Sequence, residues 1–275
     1  MRKVTLPGGE RVPALGQGAW MIGDAPERRS DEIAALRRGL DLGLTLIDTA
    51  EMYGEGASET LVGEAVAGRR DEVFLVSKAL PSHAGRAGLE RACAASLRRL
   101  KTDRLDLYLL HWRGSVPLAE TVAGMEALRD KGLIRRWGVS NFDTDDMEEL
   151  WAAGGSACAA NQVLYNLSRR GPEFDLLPWQ ASRGVPAMAY GPIEQGRLKT
   201  AALAPVAAKH GVAPYAVALA WAMRAGDVIA IPKAGRIAHV EANARAAALT
   251  LDADDCAALD AAFPPPRRKV ALEMI

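Results

Sequence analysis

Residues 71–112 read DEVFLVSKALPSHAGRAGLERACAASLRRLKTDRLDLYLLHW, and this stretch decides the fold. Val73-Phe74-Leu75-Val76 is a short apolar run of the kind that fills a strand buried on both faces, and residues 105–110 form a second. Between them Leu89, Cys93, Leu97 and Leu100 recur at three- and four-residue spacing, which makes one stripe of an amphipathic helix. Strand, helix and strand in about forty residues is a βαβ unit, whose strands must run parallel.

The same unit repeats on both sides. Further strand-like runs occupy residues 44–47, 134–139, 185–189 and 228–231, and two shorter ones fall at 15–18 and 159–163. Helical stripes separate them: Ile33, Leu36 and Leu40 between Ser30 as N-cap and Gly43 as C-cap, then Val122, Met125 and Leu128, then Met147, Leu150 and Trp151 before Gly154. Eight units in 275 residues leave about 34 each, the span of a βα repeat. The expected fold class is α/β, a single (β/α)8 TIM barrel forming one domain over 1–275. Residues 4–14, turning at Pro7-Gly8-Gly9, read as an N-terminal β-hairpin, and Pro264-Pro265-Pro266 stop a last helix over 254–263 and begin a short C-terminal tail. A doubly wound sheet is the rival architecture, but no GxGxxG or GxxxxGK[ST] stands between a strand and a helix.

Composition narrows the function. Thirty-four Lys and Arg balance 34 Asp and Glu, so no global field draws nucleic acid or an anionic membrane. Cys93, Cys158 and Cys256 stand far apart, with no Cys/His cluster, so neither a disulfide framework nor a metal site is expected. No run approaches the ~18 apolar residues of a membrane span, and the basic start lacks an apolar targeting core. The expectation is a soluble cytoplasmic protein. Its oligomeric state is not legible in the sequence, and a monomer is the default.

In a parallel barrel, reactive groups belong at the C-terminal ends of the strands. There the sequence places Asp48, Lys78, His111, Asn141, Gln162, Tyr190 and Lys233, and Tyr53 follows Asp48 closely enough to fold over the same mouth. A phenol is a weak acid at neutral pH, but an adjacent ammonium stabilises its phenolate and lowers its pKa. Lys78 would supply that charge, Asp48 would hold Lys78, and His111 would donate to a carbonyl oxygen. Such a group protonates an oxyanion as it develops.

The spacing Asp48-x4-Tyr53, then Lys78, then His111 within LDLYLLHW, resembles the aldo/keto reductase family, most of all its small bacterial methylglyoxal and aldehyde reductases. LIDTAEMYGEGASETLVGEAV (46–66), DEVFLVSK (71–78), GLIRRWGVSNFD (132–143), NQVLYNLSRR (161–170) and VIAIPKA (228–234) look like that family's successive strand-end motifs. Nearly the whole chain takes part in the resemblance, and the ordered set is far more specific than any one motif. It implies a barrel that binds NADPH, or NADH, and passes hydride from nicotinamide to a small aldehyde, 2-oxoaldehyde or ketone, with Tyr53 as proton donor. It further implies that Ser140, Asn141 and Gln162 clamp the nicotinamide carboxamide while Tyr190 stacks beneath the ring. Gly191, Pro192, Ile193, Gln195 and Gly196 would lie along the pyrophosphate. Ile231, Pro232, Lys233, Arg236 and Asn243 would serve the adenosine end, and Trp20 and Trp112 would wall the substrate pocket.

The family's NADPH segment often has Ser after the Lys and Arg six residues on; here Ala234 and His239 hold those positions, and Arg236 offers a guanidinium from a shorter loop. Two other functions share the pattern: an NADPH-binding redox-sensing regulatory module, and a Schiff-base aldolase using Lys78. His83, His210 and His239 read as structural, Trp179 as helix packing, and the charged tracts at 69–72 and 264–269 as solvated turn and tail.

Overall fold

The computed structural model describes all 275 residues. The chain opens with the antiparallel hairpin of β1 (Lys3–Thr5) and β2 (Arg11–Pro13), paired through Val4 and Val12. Eight parallel strands follow, each hydrogen-bonded to the next in chain order: β3 (Gln17–Gly18), β4 (Leu46–Asp48), β5 (Phe74–Ala79), β6 (Leu105–Leu110), β7 (Ile134–Ser140), β8 (Asn161–Leu164), β9 (Ala187–Tyr190) and β10 (Val228–Ala230). The first and last strands meet in parallel bridges, Leu15 with Ala230 and Gly18 with Lys233, so the sheet closes on itself. This is the (β/α)8 barrel that the alternating pattern predicts.

Helices α1 (Arg29–Asp41), α2 (Ala57–Ala65), α3 (Arg86–Leu100), α4 (Leu118–Asp130), α5 (Thr144–Ala152) and α6 (Leu176–Ser182) each join one strand to the next. Two helices, α7 (Thr200–His210) and α8 (Pro214–Ala222), lie between β9 and β10; α9 (Ile237–Ala246) and α10 (Ala253–Ala262) complete the ring. The apolar stripe of α3 is buried as expected, Leu89 and Cys93 without any exposure. β5 and β6 are buried along their whole lengths, which explains why they read as unbroken apolar runs rather than alternating ones.

Two local expectations need correction. Several strands extend one or more residues past their apolar runs, so Asp48, Lys78 and Tyr190 belong to strands and do not follow them. The ladder continues because backbone groups pair whatever the side chain is. Ser30 caps nothing: a short turn at Pro26–Arg28 leads directly into α1, since proline's fixed φ starts helical geometry without needing a side-chain cap. Gly43 does sit just past the helix with φ +83°, where a left-handed residue lets the chain reverse.

The tail beyond Pro264 has no regular structure, and ion pairs hold it: Lys269 to Asp175 (3.0 Å) and Asp145 (3.3 Å), and Glu273 to Arg169. No helix is long and apolar enough to cross a membrane.

The seam between β10 and β3 is tight. Gly16 donates to the Ala230 carbonyl (2.8 Å) and Gly18 to that of Pro232 (3.0 Å), and a Cβ on Gly18 would lie 2.6 Å from the Ile231 oxygen. Gly18→Ala should therefore cost about 1–3 kcal/mol by overpacking, seen as a Tm lowered by several degrees in thermal unfolding followed by circular dichroism. An unchanged Tm would mean that the seam yields without strain.

Candidate active site

Asp48 ends β4, and the chain then turns so that Tyr53 faces back over the barrel mouth. Three consecutive residues in that turn, Gly54, Glu55 and Gly56, have left-handed backbones. Glu51 fixes the turn to the end of β5: its Oε1 accepts from the Leu80 backbone N–H (2.7 Å) and contacts His83 Nδ1 (2.8 Å).

Lys78, completely buried in β5, organises the centre. Its Nζ donates to Asp48 Oδ2 (2.7 Å), the Thr49 carbonyl (3.0 Å) and Tyr53 Oη (3.1 Å). An ammonium has three N–H donors, and all three are used. Tyr53 Oη is thus an acceptor toward Lys78 and must direct its own hydrogen elsewhere, with the cavity on that side. Burial alone would pull the Lys78 pKa down, but the Asp48 carboxylate and Tyr53 outweigh it and hold the group above its usual value, so it stays charged.

Tyr53 corrects the expectation for its acidity. Burial raises its pKa above the ordinary phenol value, and the Lys78 charge only partly offsets that. Tyr53 is therefore a firmly protonated phenol in this structure. His111, just past β6, packs edge-on against Tyr53 with ring centroids 5.7 Å apart. Burial, with the Lys78 charge adding to it, lowers the His111 pKa to about 2, so the ring is neutral. Its Nδ1 is buried without a partner. A buried lone pair without a partner costs less than a buried N–H without one, which assigns the ring proton to Nε2 as a donor.

The far side of the barrel contributes polar groups. Tyr190 Oη donates to Asn141 Oδ1 (2.8 Å), Asn141 Nδ2 donates to the His111 carbonyl (3.1 Å), and Ser140 Oγ donates to the Gln162 carbonyl (2.9 Å). Asn141 holds a left-handed backbone, φ +58°. So do Gly191, Glu194, Gln195 and Gly196 in the loop after β9. Each non-glycine residue in that conformation costs on the order of 1–3 kcal/mol and persists only where neighbours enforce it. Here the buried Glu194 carboxylate accepts from Asn166 Nδ2 (2.8 Å) and Arg169 Nη2 (3.0 Å), while Asn166 also donates to the Gly191 carbonyl (2.9 Å).

One cavity of about 1000 Å³ joins these parts. Asp48, Tyr53, His111, Ser140, Asn141, Gln162, Tyr190, Gly191, Pro192, Ile193, Gln195, Gly196, Ile231, Pro232, Lys233 and Asn243 all line it, as do Trp20 and Trp112; Lys78 lies beneath them. Arg236 is the exception. It is exposed at the N-cap of α9 and absent from the cavity wall. His239 and Ala242 of α9 line the wall instead. His83 and His210 pair with Glu51 and Asp255, and Trp179 packs on Trp151, as the sequence suggests.

The sequence reading missed the rim. Met21, Met52, Met274 and Ile275 are 43–58% exposed and line the mouth, and Tyr215 and Ala216 of α8 line the wall. No periodicity marks the first four, since two lie in turns and two are carried there by the ion-paired tail.

Residues 14–263 match the aldo/keto reductase family, and the chain belongs to it. It is 51% identical over 281 residues to the methylglyoxal reductase YeaE of Escherichia coli K12, the match covering 100% of this chain and 99% of that protein. It is 38% identical to the aldo-keto reductase YhdN of Bacillus subtilis, over 69% of this chain and 61% of that one. A crystal structure of an aldo/keto reductase from Klebsiella pneumoniae in complex with NADP and acetate superposes with a TM-score of 0.97 at 50% identity, covering 100% of this chain and 99% of that one. One from the same organism in complex with NADPH gives 0.96, with both chains covered in full.

The depressed His111 pKa sets a pH dependence. Unfolded, the imidazole takes a proton near pH 6.5, whereas folded it does so only near 2. The stabilisation is fully present above pH 6.5 and is lost as pH falls toward 2, by about 1.4 kcal/mol per pH unit. Between pH 6.5 and 5, urea midpoints should fall more steeply for the wild type than for His111→Gln; parallel slopes would show that His111 is not held neutral.

Proposed function

We propose that this chain reduces small aldehydes, ketones and 2-oxoaldehydes such as methylglyoxal to alcohols, using NADPH. One observation carries the reading: Lys78 spends every N–H on Asp48, Thr49 and Tyr53, leaving the Tyr53 proton for an acceptor in the cavity beside a neutral His111.

The residues present fit a nicotinamide dinucleotide. Asn141 and Gln162 offer amides at the inner end of the cavity, Tyr190 an aromatic face, residues 191–196 a glycine-bounded loop, and Lys233 a cation at the outer end. In this reading Ser140, Asn141 and Gln162 orient the carboxamide, Tyr190 supports the ring, and Lys233 and Asn243 hold the adenosine end. Lys233 is better placed than Arg236 for a 2′-phosphate, because it stands in the cavity wall. NADPH, when bound, supplies the hydride. The substrate oxygen accepts from Tyr53 Oη and His111 Nε2, and as negative charge builds on it Tyr53 gives up its proton. Lys78 stabilises the phenolate left behind, and Asp48 keeps Lys78 charged and in place. Trp20, Trp112 and the methionine rim exclude water around the carbonyl.

The alternatives fit less well. A Schiff-base lysine must reach a neutral, free amine, yet Lys78 is held charged and has no unused N–H. A sensor alone has no use for a saturated proton relay. Residues 1–275 are read as one catalytic domain, since all eight strands share one sheet, and a monomer suffices because one chain supplies every group of the site. Three unpaired cysteines fit the reducing cytoplasm.

Tyr53→Phe should lower kcat for methylglyoxal by about 10²–10⁴-fold, followed as NADPH absorbance, with the NADPH Kd from fluorescence titration little changed. Near-normal turnover in the variant would overturn the assignment of the proton donor.

A further inference from the structure

The line from Tyr53 through Lys78 to Asp48 does not stop at Asp48. The carboxylate is 2% exposed, and Lys78 serves only its Oδ2. Its Oδ1 accepts from Gln162 Nε2 at 2.7 Å. β4 and β8 are four strands apart in a ring of eight, so this bond crosses the barrel. Gln162 is 1% exposed, and because a carboxylate can only accept, the amide nitrogen is the end that faces Asp48. The amide Oε1 has no partner within the protein, yet it is not sealed off, since Gln162 lines the cavity.

We infer that Gln162 is a positioning residue of the proton relay: its Nε2 pins Asp48 Oδ1 so that Lys78 keeps one N–H on Tyr53, while its Oε1 faces the cavity. This rests on the reductase reading above and adds to Gln162 a task beyond orienting a carboxamide. The two ends of one amide do different work. A donor arriving at Oε1 polarises the amide and strengthens the Nε2–H bond to Asp48, so occupancy of the cavity is felt at the relay. Without Gln162, Oδ1 stands bare in a buried site. The carboxylate then turns to take more of Lys78, or bears on Tyr53 with less of its charge offset. Both changes make Tyr53 a weaker acid.

The titratable groups facing Tyr53 are Asp48 from β4, Lys78 from β5, His111 beyond β6 and Tyr190 from β9. His111 is neutral and burial keeps Tyr190 protonated, which leaves Asp48 and Lys78 as the charges that set its acidity.

The test is Gln162→Met, which keeps shape and loses the donor, beside Gln162→Glu, whose carboxyl can donate to Asp48 only while protonated. In the protein without cofactor, the near-ultraviolet phenolate titration of Tyr53 is read as the difference from a Tyr53→Phe background. Gln162→Met should move that step about one pH unit upward and lower kcat about tenfold, with the alkaline limb of kcat shifted the same way. Gln162→Glu should regain activity toward acidic pH and lose it as its carboxyl ionises. Identical Tyr53 titrations in the wild type and Gln162→Met would overturn the relay role. So would a raised NADPH KM with an unshifted pH profile, which would confine Gln162 to cofactor binding. If the wild type reduces no carbonyl, the reductase reading fails, and the cofactor-free titration still decides the role of Gln162.

Discussion

The buried ammonium of Lys78 is the constraint around which the site is built. A charge sealed from water costs several kcal/mol unless it is paired and hydrogen-bonded, and Lys78 has no exposure at all. Asp48, the Thr49 carbonyl and Tyr53 together satisfy it. The same saturation turns the Tyr53 proton away from Lys78, so in the reduction proposed above one set of bonds would serve both stability and catalysis.

The barrel delivers these groups because adjacent strands hold their ends in fixed register. Asp48 pairs with Val76 across β4 and β5, and Lys78 with Leu109 across β5 and β6, which sets Asp48, Lys78 and His111 on three successive strand ends. Gln162 enters from the opposite wall and closes the arrangement. Around this centre the chain carries strain: left-handed residues at Asn141 and Glu194 persist where side-chain bonds hold them. Arg169 ties two irregular segments together, since it pairs both with Glu194 of the loop after β9 and with Glu273 of the tail.

Much of this was legible beforehand. The apolar runs of β5 and β6 and the stripe of α3 gave the barrel, and the polar residues at the strand ends included Asp48, Lys78 and His111, which the fold brings together with Tyr53. Strand ends were blurred, because Asp48 and Lys78 look like the end of an apolar run although the backbone ladder carries on through them. The acidity of Tyr53 was misjudged, because the sequence shows a neighbouring lysine but not the burial that outweighs it. Arg236 and Lys233 look equivalent on paper; in the fold only Lys233 stands in the cavity wall.

By itself the sequence determined the repeat of strand and helix, and the chemical identity of the groups at each strand end, since hydrophobic period and residue type are properties of the chain alone. Tertiary structure decided which of those groups touch. The bond from Gln162 to Asp48 spans 114 positions. The rim formed by Met21, Met52, Met274 and Ile275 gathers both ends of the chain. Such contacts exist only once the sheet has closed, because closure, and not local pattern, brings opposite strands within hydrogen-bonding reach.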